Sequence, residues 1–133
     1  MNFTFYLTEA SLDQLDTLSS AVENLQEPLQ CSDKQMFEIL LVLEELCANV
    51  MTHGKGKNLE VLINKDWDVL TITLVDDGVP FDMTRQPRPD TCQALAKRRP
   101  GGLGCHLVNH YTDSIEYKRQ NGKNVLVIRK TID

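Results

Sequence analysis

The sequence predicts an α+β fold, a two-layer α/β sandwich in which one mixed, mostly antiparallel sheet carries its helices on one face. Three observations predict it. Period-two alternation marks strands near both ends of the chain and in its middle. Two helix-period segments stand together between the first strand and the central hairpin. Asn121-Gly122, the strongest short hairpin signal, joins two alternating runs at the C-terminal end. The predicted order is β-α-α-β-β-lid-α-β-β, within one domain over residues 1–133.

The first strand is "NFTFYL" (2–7), where Phe3, Phe5 and Leu7 alternate with polar neighbours. Thr8 or Ser11 caps a first helix, and "SLDQ" fits a capping box. Leu12, Leu15, Leu18 (or Ser19), Val22 and Leu25 are spaced as an apolar stripe that ends near Pro28. Ser32 with Gln35 opens a second, longer helix of about 20 residues, about 30 Å at the standard rise. Met36, Leu40, Leu43, Cys47 and Val50 are predicted to line its core face, and Gly54 and Gly56 to stop it. "LEVLINKDWDVLTITLVDD" reads as a hairpin. The patternless stretch from about 80 to 100 holds four of the five prolines and is assigned as a lid. "GGLGCHLVNHYTD" opens a third helix, and "SIEYKRQ" with "NVLVIRKTI" closes the fold as a hairpin.

Composition narrows the function classes. A net charge of −5 disfavours nucleic acid as a partner, because phosphate binding needs a basic field. No apolar run reaches the roughly 20 residues of a membrane span, and "MNFTFYLTEA" lacks the marks of a secretory leader. Cys31, Cys47, Cys92 and Cys105 show no metal-ligand spacing, and Cys47 and Cys105 read as small core residues. These features predict the reducing cytoplasm.

Three stretches carry possible chemistry. Glu45 and Asn49 lie one turn apart on the long helix, so their side chains share a face. Solvated surface residues are the ordinary reading of such a pair, but most of this helix's circumference is apolar. Glu44 reads as a surface or ion-paired neighbour and His53 as a helix-end cation. "VDDGVPFD" (75–82) ends a strand with Asp76 and then Gly78. A carboxylate there can accept a hydrogen bond from an exocyclic amine such as adenine's, and glycine leaves room for a flat ring. The same residues also suit a plain Asp-Gly turn. "PGGLGCHLV" (100–108) places glycines before a helix, an anion-binding arrangement or simply a tightly packed loop. His106 and His110 stand one turn apart without a third ligand, which disfavours a metal site. Arg85, Arg88, Lys97, Arg98 and Arg99 against Asp90 alone give the lid a basic excess suited to a polyanion.

The ordered set E-x-x-x-N, D-x-G, a long lid and a glycine-rich turn into a helix resembles the GHKL (histidine-kinase-like, Bergerat-fold) ATPases. "ELCANVMTHG", "DDGVPFD" and "GGLGCHLV" look most similar to the small anti-sigma regulatory factors that act as serine-protein kinases. The resemblance covers nearly the whole chain. It implies ATP and Mg²⁺ as cofactors. Glu45 would be the general base and Asn49 the Mg²⁺ ligand. Asp76 would hold the adenine amine, with Gly78 and Pro80 beside it; proline in place of a second glycine matches the anti-sigma branch. The phosphates would be cradled by amides among Gly101, Gly102, Leu103 and Gly104, the choice of glycine staying open. Lys97, Arg98 or Arg99 would offset γ-phosphate charge. The implied partners are a sigma factor and a serine-bearing antagonist, with a possible homodimer. A nucleotide-binding partner switch without kinase activity is the alternative.

Overall fold

The computed structural model describes residues 2–8, 12–54, 57–82, 84, 108 and 110–132. Five strands form one sheet: β1 (Asn2–Thr8), β2 (Asn58–Asp66), β3 (Val69–Asp76), β4 (Ser114–Gln120) and β5 (Lys123–Thr131). Their spatial order is β1-β2-β3-β5-β4. Every pairing is antiparallel, so the sheet is not mixed. The last hairpin inserts β5 beside β3, which leaves β1 and β4 as the edges.

Register and period-two alternation together fix what faces the helices. One inward row reads Phe3–Ile63–Ile72–Ile128–Ile115 across the five strands. The next reads Phe5–Val61–Leu74–Leu126–Tyr117. The third begins apolar and turns polar: Leu7–Leu59–Asp76–Asn124–Arg119. Both hairpins turn tightly. Asn121 and Gly122 have φ of 53° and 74°, as the predicted turn demands. Trp67 turns β2 into β3 at φ 59°, an uncommon place for a large side chain, and is 92% exposed.

Helix α1 (Leu12–Glu23) buries Leu15, Leu18 and Val22 on one stripe. Pro28 does not simply end it. A separate short helix, α2 (Gln26–Leu29), contains that proline in its first turn, where backbone N–H groups have no helical partner to lose. Gln30 closes α2 in the left-handed conformation. Lys65 Nζ donates to the Leu29 carbonyl at 2.6 Å, which ties α2 to the sheet.

Helix α3 (Asp33–Asn49) starts with the predicted capping box. The Gln35 N–H donates to Ser32 Oγ at 3.0 Å, and the Ser32 N–H donates to Gln35 Oε1 at 2.9 Å. Its buried stripe is Met36, Ile39, Val42, Leu43, Leu46 and Cys47. The expected Leu40 and Val50 are only half-buried. The difference arises because α3 packs on the sheet and α1 together, so its core face is wider and rotated from the single stripe predicted. Burial pushes the Cys47 thiol up to about 12, with Glu44 adding to the effect, so it is an inert core residue.

The remaining polar links fasten the last segment. Lys130 Nζ lies 3.2 Å from Glu38 Oε2, donates to the Tyr111 carbonyl at 2.8 Å and stands 5.7 Å from the Tyr111 ring centre. Asp113 Oδ2 accepts from the Thr131 hydroxyl and N–H, and those two bonds hold its carboxyl below the usual range.

Lys130→Met should destabilise the protein by about 3 kcal/mol, because Glu38 is then left charged and unpaired in the interior. Replacing Glu38 by leucine in the same chain should recover most of that loss. Urea denaturation of the single and double variants measures both; equal losses for the two would show that the ion pair itself holds the fold.

Candidate functional site

The polar end of the third inward row faces the C-terminal end of α3, and a cavity of about 20 Å³ lies between them. Leu46 and Asn49 line it from α3, Asp76 from β3, Tyr117 from β4, and Asn124 and Leu126 from β5. Val50 and Phe81 complete the wall. Val50 opens a π-helical turn over Val50–Gly54, a widened geometry that recurs at functional sites. The cavity holds roughly one water molecule. A purine ring is larger than this volume.

The two adjacent carboxylates of "VDDG" do different work. Asp76 is 5% exposed, and its Oδ1 accepts from the Gly78 N–H at 2.9 Å and from Asn124 Nδ2 at 3.0 Å. Its Oδ2 enters none of the described hydrogen bonds and is the oxygen left for a ligand's N–H. Asp77 points outward and clamps the start of β2. It accepts from the Asn58 N–H, the Asn58 side-chain amide and the Lys57 N–H at 2.8 to 3.0 Å. Those bonds, the Asn58 ones foremost, hold its carboxyl below the usual range. A broader groove of about 310 Å³ lies beside Asp77 and Lys123 at the same end of the sheet. Asp76 and Glu60 border this groove too, while Asp77 is committed to Lys57 and Asn58. The smaller cavity is the one that brings Asp76 together with Asn49.

The structure brings Asn49 and Asp76 to one cavity, with Gly78 buried beside Asp76. Glu45 is half-buried one turn before Asn49 and does not line the cavity. Pro80 is exposed. Glu44 is exposed and accepts from Ser19 Oγ at 3.4 Å. Arg98, Arg99, Lys97, Gly101, Gly102, Leu103, Gly104 and His106 lie outside the described residues, as does the span 85–100 of the lid. Among the described residues no cluster of three His, Cys, Asp or Glu side chains forms a metal site. No described helix is long and apolar enough to cross a membrane.

Sequence reasoning missed Asn124, Tyr117, Arg119 and Phe81. Asn124 had left a signal: it falls at an inward position of β5, in step with the buried Leu126 and Ile128. A polar residue at an apolar-period position calls for a partner.

Comparison with known proteins agrees with this fold. The family model "Histidine kinase-like ATPase domain" matches residues 8–130. The serine/threonine-protein kinase BtrW of Bordetella bronchiseptica is 24% identical over 101 residues, which cover 73% of this chain and 71% of that protein. The serine-protein kinase RsbW of Halalkalibacterium halodurans is 28% identical over 91 residues, 64% of this chain but only 56% of RsbW. Among solved structures, a chain of the SiaB–SiaC complex from Pseudomonas aeruginosa superposes with a TM-score of 0.62 over 98% of this chain and 89% of its own length. At 15% identity that likeness is one of fold. The chain belongs to the histidine kinase-like ATPase domain family.

Exchanging the two carboxylates one at a time separates their roles. Asp76→Asn should weaken adenine nucleotide binding at least about tenfold, the cost of one charged hydrogen bond. Asp77→Asn should leave that affinity within about threefold and lower stability at neutral pH. Because the folded carboxyl of Asp77 titrates below its unfolded value, its stabilisation is present above about pH 4 and fades as pH falls through the folded value. Urea midpoints of parent and Asp77→Asn should therefore differ at pH 7 and converge in strong acid. A constant difference across that range contradicts the assignment.

Proposed function

We propose that this histidine kinase-like ATPase domain is an Mg-ATP-dependent protein-serine kinase that regulates transcription as an anti-sigma factor. Its phosphoryl acceptor would be a serine of an antagonist protein, and its other partner a sigma factor in the cytoplasm, with the chain working as a homodimer. The observation that carries the reading is the meeting of Asn49 and Asp76 at one cavity, with Oδ2 of the buried Asp76 outside every described hydrogen bond. The names of BtrW and RsbW support the serine-kinase part, and the SiaB–SiaC pairing shows that a protein of this fold assembles with a second protein.

The residues present fit the cofactors. A buried carboxylate matches an amine donor, and an amide oxygen on the same cavity suits a hard cation. When bound, ATP supplies the transferable phosphoryl group, and Mg²⁺ offsets its charge. The chain then binds and orients. Asp76 accepts the amine hydrogen of the base, with Gly78 and Pro80 forming that wall. Asn49 offers its side-chain oxygen to the metal. Glu45, one turn back on α3, accepts the proton of the serine hydroxyl. Arg98 and Arg99 and the amides of Gly101, Gly102, Leu103 and Gly104 offset phosphate charge.

The test is transfer of labelled γ-phosphate to a serine-bearing antagonist protein. Glu45→Ala should slow transfer by a factor of roughly 100 or more while ATP affinity stays within about tenfold. Asn49→Ala should weaken nucleotide binding in the presence of Mg²⁺ and leave metal-free binding nearly unchanged. Tight ATP binding without any phosphoserine would instead identify a nucleotide-gated partner switch. Equal transfer by Glu45→Ala and parent would remove Glu45 as the base.

A further inference from the structure

Asn124 is the most heavily bonded side chain in the described structure, and the proposed function leaves it without a role. It is 4% exposed, and both ends of its amide are occupied. Nδ2 donates to Asp76 Oδ1 at 3.0 Å and to the Val79 carbonyl at 2.8 Å. Oδ1 accepts from the Phe81 N–H at 3.3 Å, from Arg119 Nη1 at 3.2 Å and from the Tyr117 hydroxyl. Arg119 Nη1 also donates to the Gly78 carbonyl at 2.7 Å.

We propose that Asn124 is the positioning residue that sets Asp76 and the wall of the nucleobase site in one geometry. The inference rests on the nucleotide reading of that site. The chemistry of the neighbours permits little else at 124. Two acceptors stand on one side and three donors on the other, so the position needs a group with donors at one end and an acceptor at the other. A carboxylate has no donor, a hydroxyl has too few, and glutamine is one methylene too long for a side chain already in register opposite Asp76. Turning the amide over would set its N–H groups against the Phe81 N–H and the Arg119 guanidinium, which cannot accept, so its orientation is fixed by its surroundings.

Two consequences follow for the site. Asp76 Oδ1 is saturated by Asn124 and Gly78, so the carboxylate holds one rotamer and offers Oδ2 alone. The loop after it is held at three backbone points, the carbonyls of Gly78 and Val79 and the N–H of Phe81, by two side chains of the β4–β5 hairpin. Asp76 and the backbone at Gly78 and Val79 are thus preorganised by the β4–β5 hairpin. This lowers the ordering cost that binding would otherwise carry.

The test is Asn124→Asp, read by titration calorimetry with Mg-ATP between pH 5.5 and 8.5, with thermal melting at each pH. The new carboxylate faces Asp76 Oδ1 and the Val79 carbonyl, and two carboxylates that close hold one proton between them. The other groups facing the pair are the Arg119 guanidinium and Tyr117 phenol from β4, with Asn49 neutral on α3. Glu60, Asp77 and Lys123 line the adjoining groove, which Asp76 also borders. At pH 5.5 the shared proton preserves the contact, and affinity should fall about tenfold or less. At pH 8.5 that proton is lost, the carboxylates separate, and affinity should fall roughly 100-fold or more. The parent should vary less than about threefold across the range, since its amide does not titrate. A merely structural defect would lower affinity equally at every pH. Tyr117→Phe keeps the ring on the cavity and removes one donor; it should bind Mg-ATP roughly threefold to tenfold more weakly with its fold intact. If the parent binds and Asn124→Asp follows its affinity and pH profile, the positioning role is wrong. Should Asn124→Asp not fold, an unchanged affinity in Tyr117→Phe overturns it equally. A parent that binds no nucleotide at any pH defeats the nucleotide reading, and this inference with it.

Discussion

A charged carboxylate inside a protein must be met by donors or the fold loses several kcal/mol. Asp76 occupies such a place, at an inward position of the central strand, one row beyond Leu74 and Leu126. Everything at this end of the molecule answers that constraint. Asn124 stands opposite in register and donates, the Gly78 amide folds back to donate, and Arg119 and Tyr117 hold Asn124 in turn. The fold could have closed the row with a third apolar layer, as it does between β1 and β2 with Leu7 and Leu59. That it instead buries a carboxylate, with one oxygen outside the described hydrogen bonds, is consistent with the ligand role proposed for it.

The rest of the architecture serves to place α3 against that carboxylate. The capping box at Ser32 sets where the helix starts, and the buried stripe from Met36 to Cys47 sets which face it turns to the sheet. The π-helical turn at Val50–Gly54 then lets the chain leave the helix next to the cavity. Asn49 sits on the last regular turn, so its position depends on the packing of the whole helix beneath it. At the opposite end of β5, Lys130 joins α3 to the segment carrying Tyr111. The site and the ion pair are therefore two anchors of α3, one at each end of its packed face.

Much of this was legible in the sequence, for local reasons. The strands announced themselves by period two, the last turn by Asn-Gly, and α3 by Ser32 and Gln35, because each signal depends on a few neighbouring residues. Asp76 and Asn49 were legible as candidates by residue type and spacing. What escaped were features decided by distant partners. Pro28 read as a stop because a four-residue helix that begins just before it cannot be told from a turn. The mixed sheet was expected because strand order is not a local property, and only the insertion of β5 beside β3 made every neighbour antiparallel. Leu40 and Val50 were placed in the core because one stripe was assumed where two surfaces compete for the helix. Asn124 was passed over because attention fell on the turn before it, although its inward step already set a polar residue among apolar ones.

The central claim is that the buried Asp76, held by Asn124, reads an exocyclic amine on a purine. Titration calorimetry comparing Mg-ATP with Mg-ITP, in which a carbonyl replaces the amine and N1 gains a hydrogen, tests it most directly. A site built to accept that N–H rejects the analogue strongly, because a carbonyl then meets a buried carboxylate. ATP should bind roughly 100-fold or more tightly than ITP. Equal affinities for the two would contradict the account.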